Sequence, residues 1–597
     1  MSLLSVAGLS VRFGARTVVS DVSFELQPGE CIGIVGESGS GKSVTARALL
    51  GLGGRRATVS ASSLAFDGTE IQDASPRRLR SLRGREIGYV SQGALVALDP
   101  LRPVGREISD SLRLHTSSTP AQRRARVLEL LAEVGVPDPE LRASQRPDEL
   151  SGGLRQRAVI ASAIALRPRL LIADEPTTAL DSTVQAGILD LLDRLRAEGT
   201  ALVLISHDLA VVSRLASRVL VMNAGRIVES GPTARVLGEP QHPYTRRLIA
   251  AVPTDRPRGT RLLPVADPAL AAAAADTATA PAAPATAPAP STLAPAPAMP
   301  APAPTLPDHF GNSGSAVTID PHTAVSAPVA TASPEFPKSP AAAVVVASHL
   351  SRRFGDRLAV DDVSFTLERG RTLGIVGESG SGKTTVARLV LALDRPDSGD
   401  VRVLGEPWTT ASERERRLLR PRIGAIYQDA LSSFDPRMTV GSIVADALTH
   451  GRSTRAGDEV LALLQRVGLD ATVATRRPQH LSGGQQQRVA IARAIAAKPD
   501  VIVCDEPVSS LDVSVQAQVL DLLDDLQRDL GLSYLFITHD LGVVRHVSDD
   551  VLVMQHGRIV ESGATEAVFA APREEYTRAL FASAPRIAVW PGPSGRP

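Results

Sequence analysis

Short, continuous apolar runs recur along the chain, and each precedes a glycine-rich turn or an acidic pair. CIGIVG (31–36), RLLIAD (169–174) and TALVLIS (200–206) are the clearest in the first half. Runs of this length without alternation suit strands covered on both faces. Between them stand helical patterns such as TVQAGILDLLDRLR (183–196), with apolar positions three and four apart. Strands alternating with helices predict an α/β fold with a largely parallel sheet.

The pattern occurs twice. DVSFELQPGECIGIVGESGSGKS (21–43) reads against DVSFTLERGRTLGIVGESGSGKT (362–384). LSGGLRQR (150–157) reads against LSGGQQQR (481–488), and LLIADEPTTALD (170–181) against VIVCDEPVSSLD (501–512). The order of landmarks is kept, so two homologous domains are expected in tandem; a period this long is not a solenoid. Between the copies the composition collapses into Ala, Pro and Thr with few charges. Dense proline forbids a continuous helix and few large apolar groups remain for a core, so a disordered tether is expected there. The division is 1–255 for the first domain, 256–343 for the tether and 344–597 for the second domain.

Composition narrows the classes. The 597 residues carry 65 basic and 64 acidic side chains, a formal charge of +1, which gives no bulk field to hold nucleic acid or an anionic membrane. Two cysteines, Cys31 and Cys504, both inside apolar runs, argue against a disulfide framework or a cysteine metal site and fit a reducing compartment. No apolar run is long enough to span a bilayer, and MSLLSVAGLSVRFG lacks a signal-peptide pattern. Only four basic residues are lysine, namely Lys42, Lys338, Lys383 and Lys498. Two of the four end the repeated GIVGESGSGK, where a compact ammonium fits a phosphate cradle that a planar guanidinium would crowd.

Gly36 to Ser43 and Gly377 to Thr384 match GxxxxGK[ST], each after an apolar strand and before a helix. Such a loop curls backbone N–H groups around phosphate oxygens at a helix N-terminus. Gly36, Ser38, Gly39, Ser40, Gly41 and Lys42 form one candidate cradle; Gly377, Ser379, Gly380, Ser381, Gly382 and Lys383 form the other. The lysines are expected on the β- and γ-phosphates, and Ser43 and Thr384 on Mg²⁺. ADEP (173–176) and CDEP (504–507) end apolar strands with paired carboxylates. On an extended strand end the two would point apart, leaving Asp174 and Asp505 for the Mg²⁺ shell and Glu175 and Glu506 to polarise the attacking water.

With LSGGLRQR and LSGGQQQR shortly before these acidic pairs, the chain resembles the ATP-binding cassette (ABC) ATPases over both domains. The resemblance implies two tandem P-loop NTPase domains. Each would have a mainly parallel core sheet, an antiparallel β region and a helical subdomain bearing the signature. It also implies further roles. Gln92 and Gln428 fall at the Q-loop position, which senses γ-phosphate and Mg²⁺ and touches the membrane partner. Asp181 and Asp512 fit the D-loop, and His207 and His539 the switch histidine. Phe13 and Phe354 fit the aromatic that stacks on adenine. In the family nucleotide lies between the P-loop of one domain and the signature of the other. Lys42 would thus face Ser482 and Gly484, and Lys383 would face Ser151 and Gly153.

LDSTVQAGILDLL, LDVSVQAQVLDLL and the extension HPYTRRLIAAVP (242–253) look like the dipeptide, oligopeptide and nickel importer branch. EEYTRALFASAP (574–585) is a weaker copy without His-Pro. That branch implies two transmembrane permease subunits, an extracytoplasmic solute-binding protein, no nucleic acid, and a place on the cytoplasmic face of the membrane. Leu154 departs from the usual glutamine after LSGG, and SQGALVALDP (91–100) departs from the Q-loop pattern that YQDALSSFDP (427–436) keeps. No cysteine stands near the extension, so no iron–sulfur cluster is expected. Two alternatives stay open: an exporter ATPase, and a soluble twin-cassette protein of the ribosome, whose linker is typically helical and charged.

Overall fold

In the computed structural model the strand Cys31–Val35 is buried from end to end, and its side chains divide between two cores. Cys31 and Val35 join one apolar cluster while Ile32 and Ile34 join another. Leu170–Asp174 and Ala201–Ile205 alternate in the same way. Leu171, Ala173, Leu202 and Leu204 lie on the Cys31 side; Leu170, Ile172, Val203 and Ile205 lie on the Ile34 side. This two-faced burial is why these strands read as unbroken apolar runs. The structure describes residues 2–54, 56–93, 97–178, 180–254, 256–263, 343–453, 455 and 457–584.

The first core sheet runs Arg226–Pro232, Arg218–Asn223, Cys31–Val35, Ala201–Ile205, Leu170–Asp174, Ile87–Val90. All neighbours are parallel except the Arg226–Pro232 edge, a hairpin return. The second sheet repeats the order with Arg558–Ala564, Asp550–Gln555, Thr372–Val376, Ser533–Ile537, Val501–Asp505 and Ile423–Ile426. P-loop, switch histidine, acidic pair and Q-loop therefore leave the carboxyl ends of four adjacent parallel strands, where open α/β sheets bind ligands.

A smaller antiparallel sheet covers one face of each core sheet. Leu4–Phe13 and Arg16–Leu26 pair in the first half, and Ala343–Phe354 and Arg357–Glu368 in the second. The other face carries helices, including Gly152–Ile164 and Gly483–Ala496, which begin at the signature serines. No helix among the described residues is long and apolar enough to cross a membrane.

The stretch expected as a tether lies, from 264 to 342, outside the described residues. Its first residues are ordered against the second cassette. Leu262 is buried, and the amides of Leu262 and Leu263 donate to the two carboxylate oxygens of Asp521 at 3.0 and 3.1 Å. Arg258 pairs with Asp549 and donates to Gln527 at 2.9 Å, and Arg261 grips Asp525 with both terminal nitrogens. An acidic helix face thus receives a short basic strap that the Pro-rich composition beyond it had masked.

Candidate functional site

Gly36 opens the first phosphate loop at φ 151°, and a Cβ there would lie 2.2 Å from the carbonyl oxygen of Met222. Gly377 is held the same way against Met554. Only glycine fits a backbone pressed this closely against the neighbouring strand. The loop then enters a helix at Lys42, whose Nζ donates to the carbonyls of Gly36 at 2.7 Å and Glu37 at 2.9 Å. Lys383 makes the equivalent bonds to Gly377 and Glu378, both at 2.7 Å. Burial lowers both ammonium pKa values, partly offset by Glu175 and Asp512 around Lys42 and by Glu506 and Asp181 around Lys383.

Ser43 Oγ donates to Asp174 at 2.9 Å, and Thr384 Oγ1 donates to Asp505 at 3.3 Å. Burial raises the pKa of both aspartates. A hydroxyl and a desolvated carboxylate in contact are hard oxygen donors, and they fit a small divalent cation such as Mg²⁺.

Asp174 is the last residue of its strand, but Glu175 is not extended. Its φ is 53°, and that of Glu506 is 50°. The two carboxylates therefore part through a left-handed turn, not through strand alternation, which corrects the expectation of an extended strand end. The turn is held by the Glu175 amide donating to Ile205 at 2.9 Å and the Glu506 amide donating to Ile537 at 2.8 Å. A non-glycine residue kept in this region costs of order 1–3 kcal/mol, and such residues cluster at functional sites.

Each glutamate is gripped by the glutamine and the histidine of its own half. Gln92 Nε2 donates to Glu175 at 2.9 Å, and Gln428 to Glu506 at 2.8 Å. His207 Nδ1 lies 3.2 Å from Glu175, and His539 Nδ1 lies 3.0 Å from Glu506. Burial alone would lower the histidines, but the hydrogen bond and charge of the glutamate outweigh it and raise both. Burial would likewise raise the glutamates, and their histidines bring them below the usual value instead. Thr178, which sequence reasoning did not single out, adds a hydroxyl to Glu175 at 3.0 Å.

The D-loops carry one set of contacts between the cassettes. Asp181 Oδ2 accepts the amide of Ser379 at 3.3 Å, and the amide of Ser38 faces Asp512. Ser514 Oγ donates to the Glu37 carboxylate at 2.5 Å, and Ser182 Oγ to the His539 carbonyl at 3.4 Å. Each P-loop is thus touched by the opposite D-loop. Among the described residues, neither signature serine hydrogen-bonds the opposite P-loop. Ser482 caps its own helix reciprocally with Gln485, whereas Ser151 accepts only the Leu154 amide, because leucine cannot return the bond. Gly153 and Gly484 sit where a Cβ would meet Val184 at 2.6 Å and Val515 at 2.5 Å, so the signature helix rests on the helix that follows its own D-loop. Phe13 and Phe354 are 37% and 46% exposed at strand ends, not in the core, and Arg352 lies over the Phe354 ring at 4.9 Å.

Sequence reasoning also missed two residues that bond the loops. The hydroxyls of Tyr244 and Tyr576, in the extensions, accept the amides of Glu37 and Glu378 at 2.9 and 3.1 Å. The available signal was the tyrosine that HPYT and EEYT share.

Comparison with known proteins agrees with this architecture. The family model "ABC transporter" matches residues 19–178 and 360–509, and "Oligopeptide/dipeptide transporter, C-terminal region" matches 228–276 and 560–594. The chain is 42% identical to the peptidoglycan transport ATP-binding protein YejF of Agrobacterium fabrum, over 98% of this chain and 96% of that protein. It is 41% identical to the oligopeptide transport ATP-binding protein OppD of Mycobacterium tuberculosis, over 98% of both chains. The glutathione import ATP-binding protein GsiA of Escherichia coli K12 is 38% identical, over 98% of this chain and 90% of that protein. With both halves matched and relatives aligned along nearly its whole length, the chain belongs to the ABC transporter family, as an ATP-hydrolysing protein with two cassettes.

Proposed function

We propose that this protein powers the import of peptides, working on two transmembrane permease subunits and an extracytoplasmic solute-binding protein from the cytoplasmic face of the membrane. The observation that carries the reading is the oligopeptide/dipeptide transporter region, which recurs after both cassettes. The named cargoes of the relatives, oligopeptide and glutathione among them, support the same class of solute.

In this reading the cassettes form two ATP sites. Phe13 and Phe354 stack on adenine. Lys42 and Lys383, with the loop amides from Ser38 to Ser43 and from Ser379 to Thr384, hold the phosphates. Ser43, Asp174 and Gln92 would hold one Mg²⁺ and Thr384, Asp505 and Gln428 the other, and the ion would supply charge neutralisation to the phosphates. Glu175 and Glu506 orient and polarise water, while His207 and His539 hold the glutamate carboxylates in place. Ser151 and Gly153, and Ser482 and Gly484, offer amides at a helix start to the γ-phosphate of the opposite site. Asp181 and Asp512 tie each site to the other cassette.

The test is to purify the full chain with its membrane partners and measure ATP turnover of E175Q and E506Q. Each is expected to lose about 100-fold or more, the scale of general-base catalysis. Two permeases of the peptide-importer type are expected to co-purify from detergent extracts. Ribosomal partners, or full turnover in either variant, would defeat the reading.

A further inference from the structure

The tyrosine common to the two extensions has a geometry that the roles above leave unused. Tyr244 is buried at the start of the helix Pro243–Ala250, where His242 Nδ1 accepts its amide at 3.1 Å. Its hydroxyl oxygen accepts the amide of Glu37. That N–H shares a peptide plane with the Gly36 carbonyl, the group to which Lys42 Nζ donates at 2.7 Å. Tyrosine and lysine thus hold opposite edges of one rigid unit. In the second half Tyr576 takes the amide of Glu378, and Lys383 takes the carbonyl of Gly377 at 2.7 Å. Glu574 and Glu575 stand there where the first half has His242 and Pro243, so the hydroxyl contact survives where the motif around it does not.

The helices bearing the tyrosines cross to the other cassette. Pro243–Ala250 packs on Val513–Leu530, and Glu575–Ser583 packs on Ser182–Ala197; both partner helices open at a D-loop aspartate. Glu37 itself receives Ser514 of that opposite helix on its carboxylate. Burial pushes the Tyr244 phenol up to about 12.

We propose that Tyr244 and Tyr576 are positioning residues of the ATP sites: each fixes the peptide plane that anchors its P-loop lysine, and ties that plane to the helix behind the opposite D-loop. The proposal rests on the reading of the two loops as ATP sites. It gives the oligopeptide-type extension a task at the nucleotide, sensing through its own helix whether the other cassette is docked.

Tyr244→Phe and Tyr576→Phe keep the ring and its packing and remove the hydroxyl that accepts the loop amide. In the full chain each is expected to weaken ATP binding by about threefold to tenfold, the worth of one hydrogen bond. KM for ATP should rise by more than kcat falls. Site-resolved hydrogen exchange without nucleotide should speed up at the Glu37 amide in the first variant and at the Glu378 amide in the second. Phe variants that bind ATP like the parent, with both amides exchanging at the parent rate, overturn the proposal. A parent chain that does not bind ATP would instead defeat the underlying reading of the loops.

Discussion

Asp181 Oδ2 accepts the amide of Ser379, a bond from the D-loop of one cassette to the P-loop of the other. The same carboxylate, through Oδ1, accepts the Val184 amide at 2.9 Å and so caps the helix Ser182–Ala197. One side chain thus starts a helix and holds the glycine-rich loop of the other cassette. Asp181→Ala should slow ATP turnover about tenfold or more, since a charge-assisted bond is worth about 1.5–3 kcal/mol. Asp181→Asn should also lose turnover, because its one amide oxygen serves either the Val184 or the Ser379 amide and its NH₂ group cannot accept the other. Steady-state ATPase assays on the full chain check this; equal rates for parent and Asp181→Ala would show that the D-loop contact does not serve the site.

The histidines give a pH prediction with a definite sign. His207 is raised above its ordinary value by Glu175, against the pull of burial. The pairing is therefore complete below the ordinary imidazole value, persists above it, and is lost as pH rises through the raised value. In Glu175→Gln the counter-charge is gone and burial remains, so the His207 pKa should fall; His539 should fall likewise in Glu506→Gln. Imidazole NMR titration of the labelled chain measures both. A His207 pKa unchanged by Glu175→Gln would mean that the 3.2 Å contact is not an ion pair.

What could be read from the sequence follows from how local its causes are. CIGIVG, RLLIAD and TALVLIS announce their strands because both sheet faces are covered and no polar side chain interrupts the apolar run. The P-loops are legible because phosphate binding needs glycine and lysine at fixed spacing. The left-handed turn at Glu175 was not legible: nothing in ADEP reveals that the chain bends after Asp174 instead of running on. The docking of Leu262 on Asp521 was hidden too, since it joins residues from different halves of the chain. The cross-cassette bonds of Asp181 and Ser514 depend likewise on tertiary placement, which no local pattern encodes.

The second glycine of the signature is a packing residue in both halves. A Cβ at Gly484 would lie 2.5 Å from Val515 Cγ1, too close without movement of the signature helix. Gly484→Ala should therefore lower both thermal stability and ATP turnover, with overpacking costing about 1–3 kcal/mol. Val515→Ala vacates the space, so the double variant should recover most of the loss. Melting curves and turnover of the single and double variants decide it; a double variant no better than Gly484→Ala would place the fault elsewhere than at this contact.

The strap from Arg256 to Leu263 makes a graded prediction. Arg261 and Asp525 are partly exposed, with side-chain exposures of 44% and 33%, and a pair of that kind is worth less than about 1 kcal/mol. Asp521 is buried and receives two backbone amides on one carboxylate, each a charge-assisted bond of about 1.5–3 kcal/mol. Asp521→Ala should thus release the strap and Asp525→Ala should barely loosen it. Tryptic cleavage after Arg258 and Arg261, followed by mass spectrometry of the folded chain, reads the difference. Asp521→Ala is expected to speed those cuts at least tenfold or so by the lost bonds, and Asp525→Ala by about twofold. Equal rates in the two variants would mean that the Asp521 carboxylate holds the first cassette's trailing chain no more firmly than the exposed Arg261 pair does.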